Sequence, residues 1–233
     1  MAQALKRLGM LVPSSNTVAE PESAALLPLD GSVTMHVSRL RVVTISDDDT
    51  SLDQFERSRI AAAVDLLADA KVDAILWNGT AAAWLGFERD ADLVATIEAQ
   101  TGIRATTAII ALNAELERLG AMRIALVTPY VAALEAKIIA NYRAAGIEVA
   151  AATRLDLTEN TAYAAITPHE IAEMARAVTA AVSELDAVLI LCTNLAGSSI
   201  VEELEAELDI PVLDSVRVAI EYALKLMHHE TTH

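Results

Sequence analysis

Ala187-Val188-Leu189-Ile190-Leu191-Cys192-Thr193-Asn194-Leu195 is the stretch on which the fold turns. An unbroken apolar run that stops at small polar residues reads as a buried strand of a parallel sheet. Ala196-Gly197-Ser198-Ser199 follows, and a helical pattern begins near Ile200. Cys192 therefore stands where a strand stops and a helix is about to start, the place where open α/β sheets bind ligands. It is the single cysteine of the chain. One reading is a buried thiol that packs as a small hydrophobe. The other follows from position: this cysteine ends the apolar run, beside a hydroxyl and an amide, and a lone cysteine so placed is a candidate for chemistry.

Working outward, the first half reads as alternating strands and helices. Arg7 to Pro13 is a strand, Ser14-Ser15-Asn16-Thr17 a turn, and Val18 to Leu27 a helix. Val33 to Leu40 alternates as a second strand, with Arg39 and Arg41 at its end. Ser46 to Asp53 is a polar loop, and Leu52 to Ala70 is a helix with Phe55, Ile60, Val64 and Leu67 on one face. Val72 to Leu76 is a buried strand that ends in Trp77-Asn78-Gly79-Thr80-Ala81. Leu93 to Gln100 and Thr106 to Leu119 read as helices, closed by Gly102 and Gly120.

The second half restarts the pattern. Met122 to Thr128 is a strand, Leu134 to Ala145 a helix capped by Gly146, and Ile147 to Leu155 a strand. A polar loop carries Thr158-Glu159-Asn160-Thr161. Thr167-Pro168-His169-Glu170 has the N-cap, first-turn proline and acidic first turn of a helix that runs to about Leu185. After the Cys192 strand come a helix to Leu208, a short strand Pro211 to Leu213, and a last helix Val216 to Met227.

The halves match in detail. Val72-Asp73-Ala74-Ile75-Leu76 aligns with Leu185-Asp186-Ala187-Val188-Leu189, a shift of 113 residues that sets Gly79 opposite Cys192 and Thr80 opposite Thr193. Ile97 to Ile103 resembles Leu204 to Ile210, and Leu8 to Pro13 resembles Ile124 to Pro129, which puts Ser14 opposite Tyr130. Self-similarity at about half the chain length predicts an α/β protein of two pseudo-symmetric lobes, each a parallel sheet flanked by helices. The lobes span residues 1–120 and 121–233, with their last helices free to cross over. Their strand ends face each other across a cleft.

Composition narrows the function classes. The chain has 233 residues and a formal net charge of -16, which argues against nucleic acid and against an anionic membrane surface. One cysteine excludes an internal disulfide and points to a reducing cytoplasm. Met1 to Pro13 does not read as a secretory signal, and no run is long enough to span a bilayer. The tail from His228 to His233 reads as a frayed end, and no metal-ligand spacing, phosphate loop or cofactor signature is present. Apolar helices such as Ile109 to Leu116 suit either pairing of two copies or burial inside one lobe.

Four polar turns converge on the cleft: Ser14 to Thr17, Asn78 to Ala81, Thr128 to Tyr130, and Cys192 to Leu195. Hydroxyls, amides and backbone N–H groups of this kind suit a carboxylate, or the charge of an enediolate formed from one. A thiol near its ordinary pKa of about 8.5 can protonate a carbanion, and as thiolate can abstract a proton or attack an alkene. A helix start at Cys192 would lower that pKa and make both forms accessible.

Pro13-Ser14-Ser15-Asn16-Thr17 with Glu20-Pro21-Glu22 resembles the N-terminal motif of maleate cis-trans isomerases. Asn78-Gly79-Thr80 and Val127-Thr128-Pro129-Tyr130 resemble arylmalonate decarboxylases, and Cys192-Thr193-Asn194-Leu195 fits the second cysteine motif of both. Both groups belong to the aspartate/glutamate racemase superfamily, so the resemblance implies two pseudo-symmetric lobes, no cofactor and a small mono- or dicarboxylate substrate. Racemases and maleate isomerases of this superfamily carry a cysteine in each lobe; here the first-lobe position is Gly79. The resemblance to the decarboxylases implies that Cys192 protonates an enediolate left by loss of carbon dioxide. It further implies a carboxylate held by Thr80, Tyr130 and the turns at Ala81 and Thr193, while Asn16 and Asn160 match positions that bind substrate in the isomerases, and Ser14 and Gly79 are further substrate-binding candidates. Ala81 stands where the decarboxylases have a serine, which puts an aryl substrate in question. Arg39 and Arg41 are either a clamp for a second carboxylate or surface charges.

Three functions compete on this reading. The first is decarboxylation of malonate-type acids, aryl- or alkenyl-substituted among them. The second is isomerisation of maleate or racemisation of an amino acid of the aspartate/glutamate type. The third is non-catalytic binding of small carboxylates.

Overall fold

The structure is a computed structural model that describes residues 5–42, 45 and 57–228, with 57–59 described by backbone alone. The first half runs β1 (Lys6–Pro13), α1 (Ala19–Leu26), β2 (Val33–Leu40), α2 (Arg57–Asp69), β3 (Ala74–Trp77), α3 (Ala82–Leu85), α4 (Glu88–Thr101), β4 (Arg104–Thr107) and α5 (Ala108–Leu119). The second runs β5 (Arg123–Thr128), α6 (Ala132–Ala144), β6 (Glu148–Arg154), α7 (Asn160–Tyr163), α8 (Pro168–Ala180) and β7 (Ala187–Ile190). A 3₁₀ turn (Ser198–Ile200), α9 (Val201–Leu208), β8 (Val212–Asp214) and α10 (Ser215–His228) complete it.

Each half forms a four-stranded parallel sheet, in the orders β2-β1-β3-β4 and β6-β5-β7-β8. The pseudo-symmetry holds at the level of register. Leu8 pairs with Ala74 and Leu11 with Trp77; Ile124 pairs with Ala187 and Val127 with Ile190. The central strands β3 and β7 are buried throughout, as two-sided coverage by helices requires. The shared Asp-Ala run has a physical cause. The Asp73 carboxylate accepts from the Arg7 backbone N–H (2.7 Å), and the Asp186 carboxylate accepts from Met122 and Arg123 N–H (2.8 and 2.7 Å). In both lobes the aspartate fastens the start of the first strand to that of the third.

The last helix of each half packs on the other half. Val216, Ala219, Ile220 and Ala223 of α10 are buried with Leu8, Met10, Ala74 and Leu76 of the first sheet. Ile109, Leu112 and Leu116 of α5 are buried in the core that contains Ile124, Leu126 and Leu189. Those α5 side chains are fully enclosed within one chain and offer no face for pairing two copies.

Several boundaries differ from the sequence reading. Residues 104–107 form a strand where the pattern predicts the start of a helix at Thr106. Thr107 serves twice, as the last strand residue and as the N-cap whose hydroxyl accepts from Ile110 N–H. The helix predicted from Leu93 begins at Glu88, and a further turn, α3, precedes it. The helix predicted to reach Leu185 ends at Ala180, although its start is as read: Thr167 and Glu170 form a reciprocal capping box ahead of Pro168. Gly102 and Gly120 close their helices in the left-handed region, at φ 69° and 65°. The polar loop Ser46 to Asp53 and the residues from Leu52 to Glu56 lie outside the described residues, as does the tail beyond His228. Among the described residues no helix is long and apolar enough to cross a membrane.

Candidate active site

The ends of β1, β3, β5 and β7 meet between the lobes, and the loops leaving them enclose a narrow cleft. Pro13, Asn16, Trp77, Gly79, Thr80, Ala81, Trp84, Tyr130, Asn160, Cys192 and Thr193 line it, with Val42 and Ile45 closing one side. The open volume is about 20 Å³, room for about one water molecule. Among the described residues that line it, none carries a formal charge.

Cys192 follows β7 by two residues and is 3 % exposed, and its sulfur accepts from the Asn194 backbone N–H at 3.4 Å. The next helix begins where the sequence reading puts it, near Ile200: the turn through Gly197 leads into the 3₁₀ residues Ser198–Ile200 and then α9 at Val201, so the helix start lies well past the cysteine. No helix terminus lowers the thiol pKa. Burial instead pushes Cys192 up to about 11, against the pull of hydrogen bonds from the Tyr130 hydroxyl and the Asn194 N–H. The sequence expectation of two accessible protonation states is corrected: at neutral pH this is a thiol.

Tyr130, at the end of β5, reaches across to the first lobe. Its hydroxyl lies 2.7 Å from the Thr80 hydroxyl and hydrogen-bonds Cys192. The ring is held edge-on between Trp84 (centroids 4.9 Å apart) and Tyr163 (5.9 Å). Burial raises the Tyr130 pKa well above its ordinary value, so the phenol is a neutral donor. Thr80, Tyr130 and Cys192 thus form a linked set, drawn from both lobes.

The amides tie the lobes together. Asn16 Nδ2 donates to the Thr193 carbonyl (3.0 Å) and hydroxyl (3.2 Å), and its Oδ1 accepts from Val18 and Ala19 N–H at the start of α1. Asn194 Oδ1 accepts from Thr17 N–H (3.0 Å), and its Nδ2 donates to the Asn160 carbonyl (2.5 Å). The Thr193 hydroxyl donates to the Asn78 carbonyl at 3.1 Å, and Asn160 Nδ2 to the Ser15 hydroxyl at 2.8 Å. Among the described residues no acceptor takes the backbone N–H of Gly79, Thr80, Ala81 or Thr193, which leaves donors of both lobes for an anion.

Of the site residues read from sequence, Asn16, Gly79, Thr80, Ala81, Tyr130, Asn160, Cys192 and Thr193 all line the cleft. Ser14 does not. Its hydroxyl is turned to the residues after β2, donating to the Val42 carbonyl (3.3 Å) and accepting from Val42 N–H (3.2 Å). Arg39 is a scaffold group: it donates to the Ser14 and Asn16 carbonyls (3.0 Å each) and pairs with Glu20 (2.6 Å). Arg41 is exposed. Neither arginine is among the residues that line the cleft.

Sequence reasoning misses Trp77 and Trp84, though they are the only tryptophans of the chain and both face the cleft. Trp77 explains Gly79. A Cβ added to Gly79 would lie 2.5 Å from Trp77 Cζ2 and 2.6 Å from Cε2, well inside contact distance. The indole fills the space that a first-lobe cysteine opposite Cys192 would need.

Two matched α/β lobes, with a thiol and a phenol at their junction, place the chain in a class of two-lobed α/β proteins with a cysteine-bearing cleft between the lobes. The chain belongs to the arylmalonate decarboxylase family, whose model matches residues 8–233. It is 31 % identical to a maleate isomerase of Nocardia farcinica over 222 residues, 91 % of this chain and 86 % of that one. Among solved structures it is similar to a maleate cis-trans isomerase from Nocardia farcinica. That protein has a cysteine replaced by serine and a covalently bound succinylcysteine intermediate (TM-score 0.86, 27 % identity, 95 % and 92 % of the two chains). It shares its fold with an arylmalonate decarboxylase carrying Gly-to-Cys and Cys-to-Ser replacements (TM-score 0.84, 21 % identity, 97 % and 94 % coverage).

Proposed function

We propose that the cleft generates or receives an enediolate of a small carboxylate and that Cys192 supplies its proton. The observation that carries this reading is a lone thiol, kept protonated by burial, facing a first-lobe position filled by Gly79 and Trp77. Decarboxylation of a malonate-type acid fits it directly. One carboxylate sits on the N–H groups of Thr80, Ala81 and Thr193 with the Tyr130 and Thr80 hydroxyls, and the other leaves as carbon dioxide. The electron pair of the broken carbon–carbon bond becomes the enediolate, and the Cys192 S–H proton passes to the α-carbon. The Tyr130 hydroxyl holds the thiolate that remains until solvent returns a proton.

Maleate isomerisation is the reading that the named relatives favour, and by similarity alone it outweighs decarboxylation. One sulfur is enough for it on paper: a thiolate adds to the alkene, the new single bond turns, and the thiolate leaves. It needs Cys192 as a nucleophile, and burial, which raises the thiol pKa, works against the thiolate in the unliganded cleft. A substrate panel of malonates, maleate and amino acids in deuterated water separates the two. Carbon dioxide with one deuteron gained at the α-carbon supports the decarboxylase; fumarate from maleate supports the isomerase. Turnover that survives Cys192→Ala rejects both.

A further inference from the structure

A second, larger cavity lies directly behind the cleft. It has a volume of about 240 Å³ and shares Trp77 and Ala81 with the cleft as a common wall. Ile60, Ala82, Leu85 and Leu93 line its sides. Its charged groups lie mostly at the mouth, where Arg89 and Asp92 are exposed. Asp90 is the buried exception, and its carboxylate is occupied by the Thr107 hydroxyl. The partition is thin: one indole ring and one methyl group separate an apolar chamber from the sulfur-bearing cleft.

We propose that Trp77 is the specificity-determining residue of this site: its indole closes the cleft off from the chamber behind it and so keeps a large apolar substituent on the substrate's α-carbon out of that chamber. The inference rests on the carboxylate-binding reading of the cleft. Three observations meet at this residue. The indole is pressed against Gly79, so it sets how much room exists opposite Cys192. The cleft with the indole in place has about 20 Å³ free, room for about one water molecule, so each further atom of a substituent has to find space beyond the ring. The chamber on the other side of the ring is large enough to receive such a group and is apolar where it adjoins the cleft. A carboxylate held on the N–H groups of Thr80 and Ala81 would direct an α-substituent toward this partition, because Ala81 lines both spaces. Shortening residue 77 therefore joins the two volumes, while the native indole restricts the site to acids with small substituents.

The test is calorimetric binding of two unreactive probes, acetate and phenylacetate, to the intact wild-type chain and to Trp77→Ala. The expected result is a rise of about tenfold or more in the preference for phenylacetate over acetate in the variant, since enclosing a phenyl-sized group supplies at least that much. Trp77→Leu serves as the second variant should Trp77→Ala unfold, with a smaller gain in the same direction. Adding Leu93→Trp to Trp77→Ala refills the chamber from its far side and should return the preference to the wild-type value. An unchanged preference, or equal weakening of both probes, overturns the proposal. Binding is read without turnover, so failure of every acid to react counts against the proposed chemistry, whereas the probe preference alone decides the role of Trp77.

Discussion

The Tyr130 hydroxyl of one lobe and the Thr80 hydroxyl of the other stand 2.7 Å apart, and the same phenol hydrogen-bonds the Cys192 sulfur. Tyr130→Phe removes both contacts at once. It withdraws a donor that holds the Cys192 pKa down, so the thiol pKa should rise further and thiolate should be harder to form. Turnover should fall by about 10²-fold, the usual effect of losing one anion-stabilising donor, and stability by about 1 kcal/mol for the unpaired Thr80 hydroxyl. Steady-state kinetics and urea melts of the variant check this; an unchanged kcat would place Tyr130 outside the chemistry.

The protonation state of Cys192 is directly measurable. Because burial raises its pKa to about 11, alkylation by iodoacetamide should be slow at neutral pH and should rise about tenfold per pH unit without levelling below about pH 10. An inflection near pH 8, read by mass spectrometry of the alkylated chain, would mean that the thiol is far less perturbed than its surroundings require.

The contact between Gly79 and Trp77 is a steric prediction. Gly79→Ala puts a Cβ within 2.5 Å of the indole and should destabilise the chain by about 1–3 kcal/mol, the range for overpacking. Trp77→Leu should relieve most of that cost, so the double variant should be more stable than the sum of the single changes allows. Additive losses in thermal melts would contradict the contact.

Asp214 links stability to pH. It is fully buried at the end of β8, accepting from the Ser198 hydroxyl (2.8 Å) and from Val216 and Arg217 N–H (3.0 and 2.9 Å). Burial outweighs those bonds and raises its pKa from 3.8 to about 7. A folded-state pKa above the unfolded one means that the native chain binds the proton more tightly. The contribution is complete below about pH 4 and is lost as pH rises toward 7, with a slope of about 1.4 kcal/mol per pH unit at most. Asp214→Asn keeps an acceptor for the N–H groups and should flatten that decline. Denaturant melts from pH 4 to 8 with equal slopes for both proteins would refute it.

Most of this arrangement is legible in the sequence because it is written in covalent order. The Asp73 and Asp186 runs mark the duplication, and the same carboxylate tie at both strand starts is why the aspartates recur. Once the shift is fixed, Gly79, Thr80, Cys192 and Thr193 have to meet. Other features depend on packing that no local pattern encodes. Residues 104–107 are a strand because they lie beside β3, although two of the four are threonines leading straight into a helix. Ser14 shares a turn with Asn16, yet its hydroxyl bonds Val42, after β2. The height of the Cys192 pKa comes from burial, which a reading of neighbours does not reveal. Trp77 is hidden for a similar reason: an aromatic residue ending a buried strand looks like core until the glycine two positions on is seen beneath its ring.

The central claim is that Cys192 gives a proton to an enediolate and does not bond to carbon. The most direct measurement follows substituted malonic acids and maleate with the wild-type chain and Cys192→Ala in deuterated water, by proton NMR and intact-protein mass spectrometry. The account predicts loss of carbon dioxide from a malonic acid with a single deuteron gained at the α-carbon, an unmodified Cys192, and no turnover in Cys192→Ala. Fumarate formed from maleate together with a succinyl adduct on Cys192 would contradict it.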